Sequence, residues 1–306
     1  MCAPATTRRR PHRVRGLLAC AAALLILVAG PGDPRLQAGA GQRDPSLQTV
    51  LARAADYTAH YFETLTSLVA EERYVQRTGT SLPGPPPLPG AGPDAGSRVL
   101  RSDFVVVPGL GAGSPWLGVR EVLEVDGSPV DGEHGRIEAL LREGSAGTAA
   151  RLRALADAQA RFNLGALYRT INVPTLPLEF LLRDRQDRFR FKRSRDALWH
   201  GARVWRVTFR ESVRPTLIRT PEGRDVLSEG EFWLEPDTGA VVRTELRGDR
   251  VRGFRWLILV GYARHERFGM LLPDDMHEQY QTGRSRIEGH ATYSRFRRFE
   301  TDVRIK

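Results

Sequence analysis

From Arg203 to Arg210 apolar and polar residues alternate: Trp205, Val207 and Phe209 fall on one side of an extended backbone, Arg206, Thr208 and Arg210 on the other. The next segments repeat the pattern. Phe232 and Leu234 oppose Glu231 and Glu235, and Val242 and Leu246 oppose Arg243 and Glu245. One face of the predicted sheet is therefore apolar and the other an arginine–glutamate lattice, whose cross-strand pairs serve mainly solubility. Strands are predicted at Phe189–Lys192, Arg203–Glu211, Leu217–Thr220, Val226–Glu235, Ala240–Arg247, Trp256–His265, Met276–Thr282 and Glu288–Arg304. Short turns such as Pro221-Glu222-Gly223 and Pro236-Asp237-Thr238-Gly239 join them, and strands without intervening helices must form antiparallel hairpins.

The N-terminal part carries a different period. Asp44-Pro45 reads as a cap with proline at the first helical position. Leu47, Val50, Leu51, Ala54, Tyr57, Tyr61, Leu65, Leu68 and Val69 then recur at the spacing of one helical stripe, which predicts a helix to about Arg77. Its ~30 residues would span roughly 45 Å. Residues 78–97, rich in proline and glycine, are predicted to be a disordered loop. Ser102–Pro108 and Arg120–Val125 read as strands, the second ending at the Asp126-Gly127 turn, and Arg136–Arg142 and Thr148–Phe162 as a pair of helices. A long sheet with one dry face must curl around something, and the amphipathic helix is the available lid. The predicted fold class is α+β: a strongly curved antiparallel sheet, an incomplete β-barrel, packed on a long N-terminal helix with an inserted helical pair.

The first forty residues do not fit this body. Arg8, Arg9, Arg10, Arg13 and Arg15 precede an apolar run from Leu17 to Ala29, the order of an export signal, with Ala38-Gly39-Ala40 as the cleavage site. The run is shorter than the roughly 20 residues a membrane-spanning helix needs. The expectation is a signal peptide at 1–40 and a single exported domain at 41–306, periplasmic or extracellular, with no transmembrane segment. Cys2 and Cys20 are the chain's two cysteines, so the mature domain would hold neither a disulfide nor a thiolate. The formal charge is +10, and residues 1–40 contribute six arginines against Asp33, which leaves +5. That remainder suits an anionic envelope surface better than nucleic acid, which an exported protein seldom meets.

No catalytic pattern emerges. Gly109-Leu110-Gly111-Ala112-Gly113 follows a strand, but Pro115 and Trp116 come next rather than a helix that could hold phosphate. The seven histidines lack metal-binding spacing; His265, His277 and His290 could meet from adjacent strands, yet surface histidines are the stronger reading, and no metal or cofactor is expected. There is no Gly-x-Ser-x-Gly elbow. Glu71-Glu72, placed at the helix end, and Asp274-Asp275 read as solvated carboxylates, and Arg295-Phe296-Arg297-Arg298-Phe299 as an edge or outer strand.

Glu231-Phe232-Trp233-Leu234-Glu235-Pro236-Asp237-Thr238-Gly239 with Val241-Val242-Arg243 resembles the strand–turn–strand hairpin of LolA-like periplasmic lipoprotein carriers. Gly269-Met270-Leu271-Leu272-Pro273 before Glu278-x-Tyr280, and Gly289-His290-Ala291-Thr292-Tyr293-Ser294, are similar to segments of such exported proteins. The likeness covers about residues 200 to 300. It implies an incomplete barrel wrapped on helices around an apolar cavity for lipid or an acyl chain, although the section from Asp103 to Leu182 departs from the compact carriers. The candidate lining is Trp205, Val207, Phe209, Phe232, Leu234, Val242 and Leu246, faced by Tyr61, Leu65 and Leu68 of the helix. The expected function is non-catalytic binding of an apolar ligand; the alternatives are a structural or partner-binding envelope protein with a filled core, and a hydrolase.

Overall fold

The computed structural model describes residues 44–80, 96–109, 115–132, 135–145, 147–165, 169, 171–220, 222–251, 254–283 and 285–298. The export signal, residues 81–95 of the proline-rich loop and most of the glycine run after Pro108 lie outside them. The unit described is Pro45–Lys306.

Helix α1 spans Leu47–Leu65, and its cap is Ser46, whose Oγ accepts from the Thr49 N–H at 3.0 Å. Its buried face is Val50, Leu51, Ala54, Ala55, Thr58, Tyr61, Phe62 and Leu65. The helix stops well short of Arg77. The hydroxyls of Thr66 and Ser67 turn back onto the Glu63 and Thr64 carbonyls, and the chain becomes strand β1, Leu68–Thr80. At 19 residues the rod is about 28 Å rather than 45 Å long. Leu68 and Val69 extend the helical stripe by coincidence; beyond them the buried residues Glu72, Tyr74 and Gln76 follow the period of a strand. Glu71 and Glu72 thus lie on β1, not at a helix end.

The remaining elements are β2 (Ser97–Pro108), β3 (Trp116–Val125), β4 (Ser128–Pro129), α2 (Arg136–Glu143), α3 (Thr148–Gln159), β5 (Phe189–Trp199), β6 (Ala202–Glu211), β7 (Ser228–Leu234), β8 (Val241–Val251), β9 (Phe254–His265), β10 (Met270–Thr282) and β11 (Ser285–Arg298). Among the described residues the strands form one open antiparallel sheet of eleven, ordered β4-β3-β2-β1-β11-β10-β9-β8-β7-β6-β5. Every neighbouring pair is consecutive in sequence except β1–β11, which welds the N-terminal ladder to the C-terminal meander. That pairing places β11 inside the sheet, so Arg295 to Arg298 are not on an edge. Arg295 instead meets Glu71 and Arg297 meets Asp103 across β1. Leu217–Thr220 is a connection with a single bridge, Arg219 to Asp225, because side chains take the ladder's place: Asp225 accepts from the Thr216 N–H and Glu211 from the Leu217 N–H, each at 2.8 Å.

One face of the sheet packs on α1 and on a buried 3₁₀ segment, Leu176–Leu181, which the strand pattern after Thr170 did not foretell. The opposite, outer face of β1–β3 is covered by the predicted helical pair, with Val69, Val105, Val107, Val119, Ile137, Leu152 and Leu155 between the layers. This explains the unbroken run Phe104-Val105-Val106-Val107: alternate residues serve two cores, as in strands covered on both faces.

Candidate functional site

The ten residues proposed from the sequence as a cavity lining all lie in the main core on the α1 side of the sheet. Trp205, Val207, Phe232, Leu234 and Leu246 are fully removed from solvent, and Phe209, Val242, Tyr61, Leu65 and Leu68 nearly so. Phe209 stacks on Phe232 at 4.6 Å and meets Phe180 and Phe189 edge-on, while Tyr61 meets Tyr262 edge-on at 6.5 Å.

At the β1–β3 end the same face carries polar groups. The apolar phase of β1 continues with Glu72, Tyr74 and Gln76, and that of β10 runs Met276, Glu278, Tyr280. The Arg169 guanidinium, inaccessible like the Glu278 side chain, donates to Glu278 Oε1 at 3.0 Å, to the Tyr74 hydroxyl at 3.1 Å, to the Leu164 carbonyl at 3.1 Å and to Gln76. Tyr74 also donates to Glu278 Oε1, and Tyr280 donates to its Oε2 at 2.9 Å. Burial pushes the Glu278 carboxyl above the usual carboxylate range, outweighing the pull of Arg169 and the two hydroxyls; burial likewise raises both tyrosines. Alongside, Arg120 grips Glu72 with two bonds of 2.6 and 2.8 Å and donates to the Asn172 carbonyl at 2.6 Å. Burial alone would lower the Arg120 pKa, but Glu72, Tyr293 and Tyr74 hold it above its ordinary value.

Above these pairs opens a cavity of about 380 Å³ between β2–β3, α3, Arg169, residues 171–176 and the 217–219 connection. Its apolar wall is Trp116, Ile171, Val173, Leu176 and Leu217, each only partly buried, over a floor of Leu100 and Val122. Arg120 and Arg169 reach it already neutralised by Glu72 and Glu278, and the exposed Arg153, Asp157 and Arg219 stand at its rim. Gly118 is required here, because a Cβ would lie 2.7 Å from a Val173 methyl. None of the ten predicted residues lines this cavity, yet its wall belongs to their cluster: Phe62 of α1 stacks on Trp116 at 4.8 Å and 6°. The legible hint was the polar residue in the apolar phase of β1 and β10; Arg169, far away in sequence, gave none.

No family model matches the chain, and no curated protein matches it. Among solved structures, a LolA superfamily protein from Nitrosomonas europaea is 9% identical over 85% of this chain and 96% of that one, with a TM-score of 0.37. This chain is similar to that protein. A DUF1329 family protein from Desulfovibrio piger is 10% identical over 83% of this chain and 95% of that one, with a TM-score of 0.32. At such identity and superposition no activity passes from those proteins to this one.

On the outer face of the sheet the histidines are only partly brought together. His277 and His290 meet, with Asp275 beside them, while His265 sits at the end of β9 between Phe268 and Phe296. Asp274 is the extra residue of a β-bulge in β10 between Pro273 and Asp275, and only Asp275 shares the face of His277. Among the described residues, no helix is long and apolar enough to cross a membrane.

Proposed function

We propose that the chain is an exported, non-catalytic binding protein that holds a lipid acyl chain or similar apolar ligand in the cavity between β2–β3 and residues 171–176. In this reading residues 1–40 are a removed export signal, 41–306 form one incomplete-barrel domain, and the ten core residues form the packed apolar body behind the cavity wall, without lining the cavity themselves. The observation that carries it is the cavity wall itself, five large apolar side chains left partly open around one space whose internal charges are already paired. Counting about 30 Å³ per water-sized group, the 380 Å³ holds roughly a dozen such groups, a medium acyl segment. Burying ten methylenes yields about 8 kcal/mol before immobilisation costs, which makes micromolar affinity the upper limit for such a chain. The rim residues Arg153 and Arg219 suit an anionic end group.

A second reading, a structural or partner-binding envelope protein, is favoured by the close packing of Trp205, Phe209 and Phe232 beneath β5–β8, which leaves that half of the core filled. One experiment separates the two. The purified chain is extracted with organic solvent for mass spectrometry and titrated with a fluorescent fatty acid, beside Ile171→Trp and Ala156→Trp, which place an indole in the cavity. Co-purifying acyl chains and micromolar binding lost in both variants support the carrier. An empty extract with no saturable binding overturns it.

A further inference from the structure

His277 of β10 and His290 of β11 are directly opposed in the antiparallel ladder, with rings stacked 4.0 Å apart at 8°. Asp275, two residues before His277 and hence on the same face, brings Oδ2 to 3.2 Å from His277 Nε2. One ligand atom from each of the three lies within 4.8 Å of the others. We propose that Asp275, His277 and His290 form a binding site for a divalent transition metal ion of the zinc type.

Four-coordinate zinc with bonds of 2.0–2.1 Å holds neighbouring ligand atoms roughly 3.3 Å apart. The His277–Asp275 pair already has that spacing, and the widest separation must close by only about 1.5 Å, which rotation of surface side chains supplies. The backbone fixes the rest, because a cross-strand pair and an i, i+2 neighbour are set by sheet register. The bulge between Pro273 and Asp275 ends before this pair, so the regular ladder from Asp275 through His277 is intact. Gly261 on β9 makes room for the carboxylate: a Cβ there would lie 2.5 Å from Asp275 Oδ1. Two imidazoles and one carboxylate select zinc, copper or nickel over calcium and magnesium, and three protein ligands leave a position open to water or a partner's donor. Arg73 of β1 lines the same groove and sets a charge against the cation, so the site is of moderate rather than extreme affinity.

The site lies on the face opposite the acyl cavity and stands or falls independently of it. The test is calorimetric titration of the chain, free of any affinity tag, with Zn²⁺, and visible spectroscopy with Co²⁺. One ion per chain at micromolar concentration is expected, with the absorption bands of a four-coordinate cobalt site. His277→Ala and His290→Ala should each weaken binding at least about tenfold and abolish those bands, while Glu288→Gln, farther along the same face, leaves both unchanged. All three positions are at the surface, and circular dichroism confirms that the variants keep the sheet. Saturation only at millimolar zinc, or undiminished binding in the His277→Ala/His290→Ala double variant, overturns the proposal.

Discussion

Arg169 and Glu278 are both inaccessible to water, and each is the other's countercharge. Removing one partner strands the other in the core, so Arg169→Met should destabilise the protein by about 3–5 kcal/mol in urea titrations, and adding Glu278→Leu should recover much of the loss. The pH dependence has a definite sign. Because burial raises the Glu278 pKa in the folded state, the fold binds a proton there more tightly than the unfolded chain does. Its contribution is full below the ordinary carboxylate value and is lost as the pH rises through the raised folded value. Thermal melts between about pH 4 and pH 7 should therefore show wild type losing stability with rising pH relative to Glu278→Gln. A difference of constant size, or of opposite slope, contradicts this assignment. At this scale the sequence was partly legible: a glutamate between Met276 and Tyr280 is anomalous in an inward phase, but its partner sits more than a hundred residues away in a segment without periodicity.

The elements meet at a few close approaches. Gly239, in the β7–β8 turn, has φ +76°, and a Cβ on it would lie 2.3 Å from the backbone of Arg53 and Ala54 in α1. Arg53 closes the same junction by donating to the Pro236 carbonyl at 2.6 Å. Gly239→Ala should cost the left-handed penalty of about 1–2 kcal/mol and, in addition, push the helix off the turn. Gly269→Ala, at φ +66° with open space around it, should cost the first part alone. Equal urea midpoints for the two variants would remove the helix contact from the account. The turn was readable from Asp237-Thr238-Gly239, whereas the helix lying against it was not. Helix α1 shows the same division: its stripe and start near Ser46 were visible, but Leu68 and Val69 satisfy the helical and the strand period alike, and pairing with both β2 and β11 decides for the strand.

The whole sheet is open, with β4 and β5 at its edges. The β4 side is short, and α3 guards the rest of that edge, where Gln159 accepts from the Val122 N–H at 3.3 Å. The β5 side relies on charge: Arg190, Lys192 and Arg195 project from it into solvent, the usual defence of an unpaired strand. Replacing Arg190 and Lys192 by valine should raise the dimer and aggregate fraction seen by light scattering at a given concentration. An unchanged monomer–oligomer distribution would show that something other than charge protects this edge.

The sequence by itself determined the α+β class, the antiparallel hairpins, the dry and wet faces of β6–β8 and the helical pair, because these follow from local period and turn chemistry. Only the tertiary structure decided that residues 68–77 are strand rather than helix, that β1 runs on to Thr80, the β1–β11 seam and the interior place of β11. It also decided the pairing of Arg169 with Glu278, the cavity above them and the meeting of His277 with His290. Each of these depends on contacts between residues remote in the chain, and a one-dimensional pattern records which face a side chain takes but not what it meets there.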